Sequence, residues 1–137
     1  MRVFLRIILS LVFGILSGSA INILLIIAGQ NIITDPSSFN PMNAQDWTIS
    51  FFIFPFLAHS LGTLVGSFVA AKASKNYHIS ISLMVGLWFL AGGIYMTTII
   101  PAPAWFEMLD IIICYIPMAY IGWKLNKRGE QGVESYG

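Results

Sequence analysis

Histidine, aspartate, glutamate and cysteine are the side chains that move protons, hold metals or attack carbonyl groups. Four of them, His59, Glu107, Asp110 and Cys114, stand in or beside long apolar stretches of this chain. Glu107, Asp110 and Cys114 recur at i, i+3 and i+7, which is one face of a helix, and Pro117 continues it. Pro55, His59, Gly62, Thr63 and Gly66 share an arc of about 100° at the helical repeat. If the two faces meet, two chemistries are open. His59 and Asp110 can form a proton relay or ion site, with Thr63 and Cys114 beside it and Glu107 at its mouth. Alternatively, His59 donates to Asp110 or to a backbone carbonyl freed by Pro55, and the bond only fixes one helix against another; polar contacts of that kind are common glue between membrane helices. No ligand-spacing signature for a metal occurs, and none is expected, nor any cofactor. Cys114, flanked by Ile113 and Tyr115, reads as a small inert hydrophobe and not as a nucleophile, so no enzymatic activity is expected.

The elements that must position these groups follow from the composition. Of 137 residues, 57% are hydrophobic and 9% are charged, where a soluble domain carries about a quarter charged. So few charges cannot cover a water-facing surface, and the natural solvent is lipid. The net charge of +1 provides no basic face for phosphates, which argues against nucleic-acid binding. The single cysteine excludes an intrachain disulfide. A membrane-spanning helix needs about 20 mainly apolar residues. Four such runs extend from Ile7 to about Gly29, from about Ile49 to Ala71, from Ile79 to Ile100, and from about Ala104 to Trp123. The expected fold is all-α, a four-transmembrane-helix bundle forming one integral membrane domain, followed by a polar tail over 128–137.

All seven Lys and Arg fall on one side of these spans: Arg2 and Arg6 before the first, Lys72 and Lys75 between the second and third, and Lys124, Lys127 and Arg128 after the fourth. Positive charge is enriched on cytoplasmic flanks, which predicts both termini in the cytoplasm. Trp47, Phe51, Trp105 and Phe106 would then lie at the outer headgroup level, with Tyr77 and Trp123 at the inner one. Gly18-Ser19-Ala20 after an apolar run resembles a leader cleavage site, but the apolar pattern resumes through Ile27, and an uncleaved first helix is the better expectation. The outer connection from Gln30 to Asp46 is turn-rich and too short for a core of its own. Asp46, just before Trp47, is the expected N-cap of the second helix.

Small residues are periodic within the spans, as close helix approach in lipid requires. Ser10, Gly14 and Gly18 lead to Asn22 in the first helix, and Ala58, Gly62, Gly66 and Ala70 repeat the spacing in the second. Gly86, Gly92 and Gly93 give the third helix a contact face as well. Packing of the first two helices on each other inside one chain is the expected use of these stripes; a homodimer through the same Gly-x-x-x-Gly faces is the alternative. Beyond the lipid bilayer, nothing in the sequence identifies a protein partner.

Three segments, Ala58-His59-Ser60-Leu61-Gly62-Thr63-Leu64-Val65-Gly66, Pro101 to Asp110, and Tyr115-Ile116-Pro117-Met118-Ala119-Tyr120, together resemble a group of small, uncharacterised bacterial four-span integral membrane proteins. The resemblance covers helices two to four. It implies a bacterial cytoplasmic (inner) membrane location and brings no activity with it. A structural or accessory membrane protein is the leading expectation, with a small proton- or ion-coupled permease or channel as the alternative.

Overall fold

The computed structural model describes residues 2–32, 40, 42–74 and 78–134, without the side chains at 130 and 132–134. Its elements are α1 (Arg2–Ile32), a short 3-10 turn (Ala44–Asp46), α2 (Ile49–Ser74), α3 (His78–Ile99), α4 (Ala104–Ile113) and α5 (Ile116–Glu134). Four stretches are long and apolar enough to cross a bilayer, and α4 and α5 together make the fourth. Inside hydrocarbon a backbone must satisfy its own hydrogen bonds, which is why uncharged runs of this length fold as helices.

Two helices outrun their apolar cores. α1 takes in Arg2 and Arg6 and continues to Ile32; at 1.5 Å per residue its 31 residues reach roughly 46 Å, beyond the hydrocarbon thickness. α5 runs on to Glu134, so most of the stretch expected as a polar tail is helical backbone. The fourth crossing is broken. Pro117 has no N–H, and its ring opposes the carbonyl of Ile113, so the ladder stops at a two-residue turn, Cys114–Tyr115. The Cys114 N–H still reaches the Asp110 carbonyl at 2.9 Å, and the ladder resumes with the Ala119 N–H on the Tyr115 carbonyl, also at 2.9 Å.

α2 is the central element and touches each of the other four helices, whereas α1 touches only α2 and α3. The α1–α2 seam is built from glycine. A Cβ on Gly14 would lie 2.7 Å from the Gly66 carbonyl oxygen, and one on Gly18 would lie 2.6 Å from that of Gly62. Reciprocally, one on Gly66 would meet the Gly14 oxygen at 2.6 Å, and one on Gly62 would lie 3.2 Å from the Cβ of Asn22. The two backbones are therefore in contact, and a second copy has no access to Gly14, Gly18, Gly62 or Gly66. Within the chain, these stripes are used as the contact between the first two helices.

α3 closes on α2 through a reciprocal pair. Ser67 Oγ donates to the Ser82 carbonyl at 3.1 Å, and Ser82 Oγ donates to the Ser67 carbonyl at 3.0 Å. One helical turn further, His78 Nδ1 donates to the Ala71 carbonyl at 2.9 Å. α5 seats Gly122 against the Leu64 carbonyl and Ala119 against Gly86. These antiparallel contacts put Arg2, Arg6, Lys72, Lys124, Lys127 and Arg128 at one end of the bundle, where Lys127 also sits over the Trp123 ring at 5.6 Å. Lys75 and Tyr77 lie outside the described residues.

At the opposite end, Ala44, Phe52 and Phe106 form a buried apolar cluster with Trp47 packed on it. Asp46 does not cap α2. Its carboxylate accepts from Asn43 Nδ2 at 2.7 Å within the 3-10 turn, and α2 starts after Thr48, whose carbonyl takes the Phe51 N–H at 3.0 Å. Gly92 also departs from expectation. A Cβ there would meet nothing within 4 Å, so it faces away from the bundle, while its neighbour Gly93 lies directly beneath the Tyr115 ring.

Gly66→Leu is expected to push α1 off α2 and destabilise the bundle by about 1–3 kcal/mol, the usual cost of overpacking. Gly92→Leu, on the open face of α3, is expected to leave stability unchanged within about 0.5 kcal/mol. Unfolding titrations with sodium dodecyl sulfate in mixed micelles compare the two; equal loss in both would contradict the packing described.

Candidate functional site

α2 holds His59 within about 4 Å of its own midpoint, counted at 1.5 Å per residue. α4 ends just beyond Asp110, and the turn that follows presents Tyr115. These three side chains converge. His59 Nδ1 lies 2.8 Å from Asp110 Oδ1 and 3.0 Å from Oδ2, and Tyr115 donates its hydroxyl to Oδ2 at 2.8 Å. The imidazole and phenol rings stack with centroids 6.0 Å apart. Asp110 and Tyr115 are buried at 6% and 2% exposure, while the His59 side chain keeps 26%.

The chemistry of the partners fixes how the ring is used. A carboxylate only accepts, so Nδ1 carries the hydrogen of this bond, and Nε2 is left outside it. Nε2 has no hydrogen-bond partner among the described residues. The Tyr115 hydroxyl is committed to Asp110, and it can reach that position because Gly93 of α3 leaves its path open.

The other candidates separate from this cluster by what they bond. Glu107 reaches back to the connection before its own helix: its Oε1 accepts the Ala102 N–H at 3.2 Å, while Gln45 Nε2 donates to the Ala102 carbonyl at 2.8 Å. The 3-10 turn is thereby tied to the beginning of α4. Cys114 is fully buried, with Sγ 3.6 Å from the Phe56 carbonyl, so it joins α2 to the break in the fourth crossing. No group of three or more His, Cys, Asp and Glu able to hold a metal occurs among the described residues. Thr63, one turn along α2 from His59, is 1% exposed, and its hydroxyl has no hydrogen-bond partner among the described residues; the buried serine hydroxyls, such as those of Ser10 and Ser60, donate to carbonyls.

Tyr115 is the member that spacing did not point to. A tyrosine inside an apolar run reads as lipid-facing or core, and its position five residues after Asp110 is off that residue's helical face. The signal lay in Pro117, which breaks the helix and swings residue 115 back toward residue 110. Gly122 was also missed, although it lies three residues after Ala119 and shares its face.

Between α2 and α4, on the side away from the basic end, lies an open groove of about 220 Å³ lined by aliphatic and aromatic side chains. Phe52, Phe56, Leu57, Trp105, Phe106 and Leu109 contribute to its walls. No protein family, curated protein or solved structure matches the chain.

Tyr115→Phe is expected to cost about 1 kcal/mol, the scale of one interhelical hydrogen bond in lipid. Asp110→Leu strands two buried donors and is expected to cost about 2 kcal/mol or more. A double-mutant cycle of His59→Phe with Tyr115→Phe, read by detergent unfolding, is expected to show coupling through the shared carboxylate. Additive losses would mean that the three groups do not act together. Maleimide is expected to leave Cys114 unmodified in the folded protein and to label it after unfolding; rapid labelling beforehand would contradict its burial.

Proposed function

We propose that the chain is a multi-pass membrane protein of structural or accessory type, in which the His59–Asp110–Tyr115 network fixes the broken fourth crossing against the second. The observation that carries this reading is the pairing of both Asp110 oxygens within the bundle. The carboxylate accepts from His59 on α2 and from Tyr115 at the α4–α5 turn, and the groove nearest to it is lined by aliphatic and aromatic side chains. The gathering of basic residues at one end supports insertion with both termini in the cytoplasm, and the resemblance to small bacterial membrane proteins supports the inner membrane.

A second reading, a small proton- or ion-coupled permease or channel, is favoured by one observation. His59 Nε2 is unpaired among the described residues, on a side chain that keeps 26% exposure, and ionisable groups inside a membrane span carry function more often than not.

Two measurements test these readings. A reporter fused at the C-terminus, active only on one side of the membrane, is expected to place that end in the cytoplasm; periplasmic activity would overturn the orientation. The double variant His59→Gln with Asp110→Asn keeps hydrogen-bonding groups at both positions and is expected to fold and to behave as the wild type does. In liposomes loaded with a pH-sensitive dye, the accessory reading expects no flux from either protein. Wild-type flux that is abolished by His59→Gln alone, in a folded protein, would overturn it in favour of the permease.

A further inference from the structure

The neighbours of α2 are unevenly spread around it, and this gives the basic end a direction. α1 meets α2 at Gly62, Gly66 and Ala70, and α5 meets it at Leu64, Ser67 and Phe68. At about 100° per residue these contacts fall on roughly opposite sides of α2. α3, bonded at Ser67 and Ala71, fills one of the two gaps between them. The other gap is open, and Lys72 lies in its middle, about 120° round from Gly66 and about 80° from Leu64.

α1 and α5 turn a cation to the same open side. On α1, Gly14 faces α2, and Ile7, Leu11 and Ile15 pack with Ile81 and Val85 of α3. Arg6 is about 80° from Gly14 and about 140° from Leu11, so it lies beside the α2 contact on the flank away from α3. On α5, Gly122 faces α2 and Ala119 meets Gly86 of α3. Arg128 is about 120° from Gly122 and about 180° from Ala119, again away from α3. The depths agree as well. Gly14 opposite Gly66 sets Arg6 level with Ser74, and Gly122 beside Leu64 and Phe68 sets Arg128 level with Lys72, so the three cations lie within about 5 Å of one depth. All three are exposed, and none has an acidic partner among the described residues.

The same face is apolar further into the bundle. Phe13, Leu61 and Ile121 each lie within about 20° of the cation on their own helix, two or three turns deeper. They are 56%, 39% and 39% exposed. Cations above an open apolar strip match a molecule with an anionic head and hydrocarbon chains; a soluble phosphate would leave the strip unused. One phosphate group cannot reach from α1 to α5 across the width of α2, about 10 Å, whereas two phosphates on a short linker can. Arginine at both ends of the row suits this, because its planar fork takes phosphate oxygens in pairs.

We propose that Arg6, Lys72 and Arg128 form a headgroup site for an anionic phospholipid carrying two phosphates, of the diphosphatidylglycerol class, whose acyl chains lie along Phe13, Leu61 and Ile121. Basic recesses between membrane helices on the cytoplasmic side take headgroups of this kind. The inference goes beyond the accessory reading. It rests on the four crossings lying in a bilayer and is indifferent to what His59 and Asp110 do.

Native mass spectrometry of the full-length protein in a non-ionic detergent tests the site by titration with diphosphatidylglycerol, with phosphatidylglycerol at equal phosphate, and with phosphatidylcholine. One diphosphatidylglycerol is expected to bind saturably, about tenfold more tightly than phosphatidylglycerol. Lys72→Gln and Arg128→Gln, made separately at exposed positions on two helices, are each expected to weaken it about fivefold. Lys127→Gln removes the same charge about 100° further round α5, where Lys127 lies over the Trp123 ring, and is expected to leave the affinity unchanged. Circular dichroism of each variant separates loss of binding from loss of fold. Equal affinity for the two anionic lipids, or an equal loss in Lys127→Gln, would reduce the effect to general attraction by the basic end and overturn the proposal. Inorganic pyrophosphate carries paired phosphates without chains and is expected not to displace the lipid. Displacement by it would assign the cations to a soluble anion, and absence of saturable lipid binding would remove the site; either result overturns the inference.

Discussion

A carboxylate placed among helices in hydrocarbon must find its hydrogen-bond donors within the protein, because neither lipid nor bulk water supplies them. Asp110 imposes that condition on this fold. One donor comes from the middle of α2 and the other from the turn that breaks the fourth crossing, so the position of Asp110 sets where both must lie. The break follows from the same demand. An unbroken helix would carry residue 115 off the face of residue 110, and Pro117 removes the ladder bond that would have kept it there. Gly93 completes the arrangement from α3 by leaving room for the phenol ring.

The remaining helix contacts rest on a different principle. Association in lipid gains little from apolar burial, so α1 and α2 approach until their backbones touch, and glycine at Gly14, Gly18, Gly62 and Gly66 permits it. α5 uses the same device at Gly122 against the Leu64 carbonyl. The outward faces carry large apolar side chains such as Leu16, Leu24, Trp88 and Tyr95, each more than half exposed. For a soluble domain that would be an aggregation liability. For a helix facing acyl chains it is the expected surface.

Much of this was legible because membrane spans are written in what they exclude. Apolar runs without Lys or Arg marked all four crossings, and the scarcity of ionisable residues inside them drew attention to His59 and Asp110, whose side chains do meet. Features that depend on angles between neighbours were harder to read. Gly92 and Gly93 are adjacent in sequence but about 100° apart around α3, so one is open and the other holds Tyr115. Asp46 has the side chain of a helix cap, but the preceding Asn43 claims its carboxylate inside a 3-10 turn. The helix ends ran past the apolar windows because arginine at the first turns of α1, and lysine and asparagine along α5, are good enough helix formers outside the hydrocarbon.

The reciprocal bonds of Ser67 and Ser82 bear on how the protein comes together in the bilayer. Each hydroxyl is satisfied by the facing backbone, and His78 closes the same seam one turn away, so α2 and α3 form a hairpin whose inner seam needs no later segment to complete it. Asp110 has no such local solution and depends on a side chain 51 residues earlier in the chain. The two seams thus differ in reach: the bonds that join α2 to α3 lie within one short stretch of chain, whereas the last crossing is held by a histidine supplied from the second.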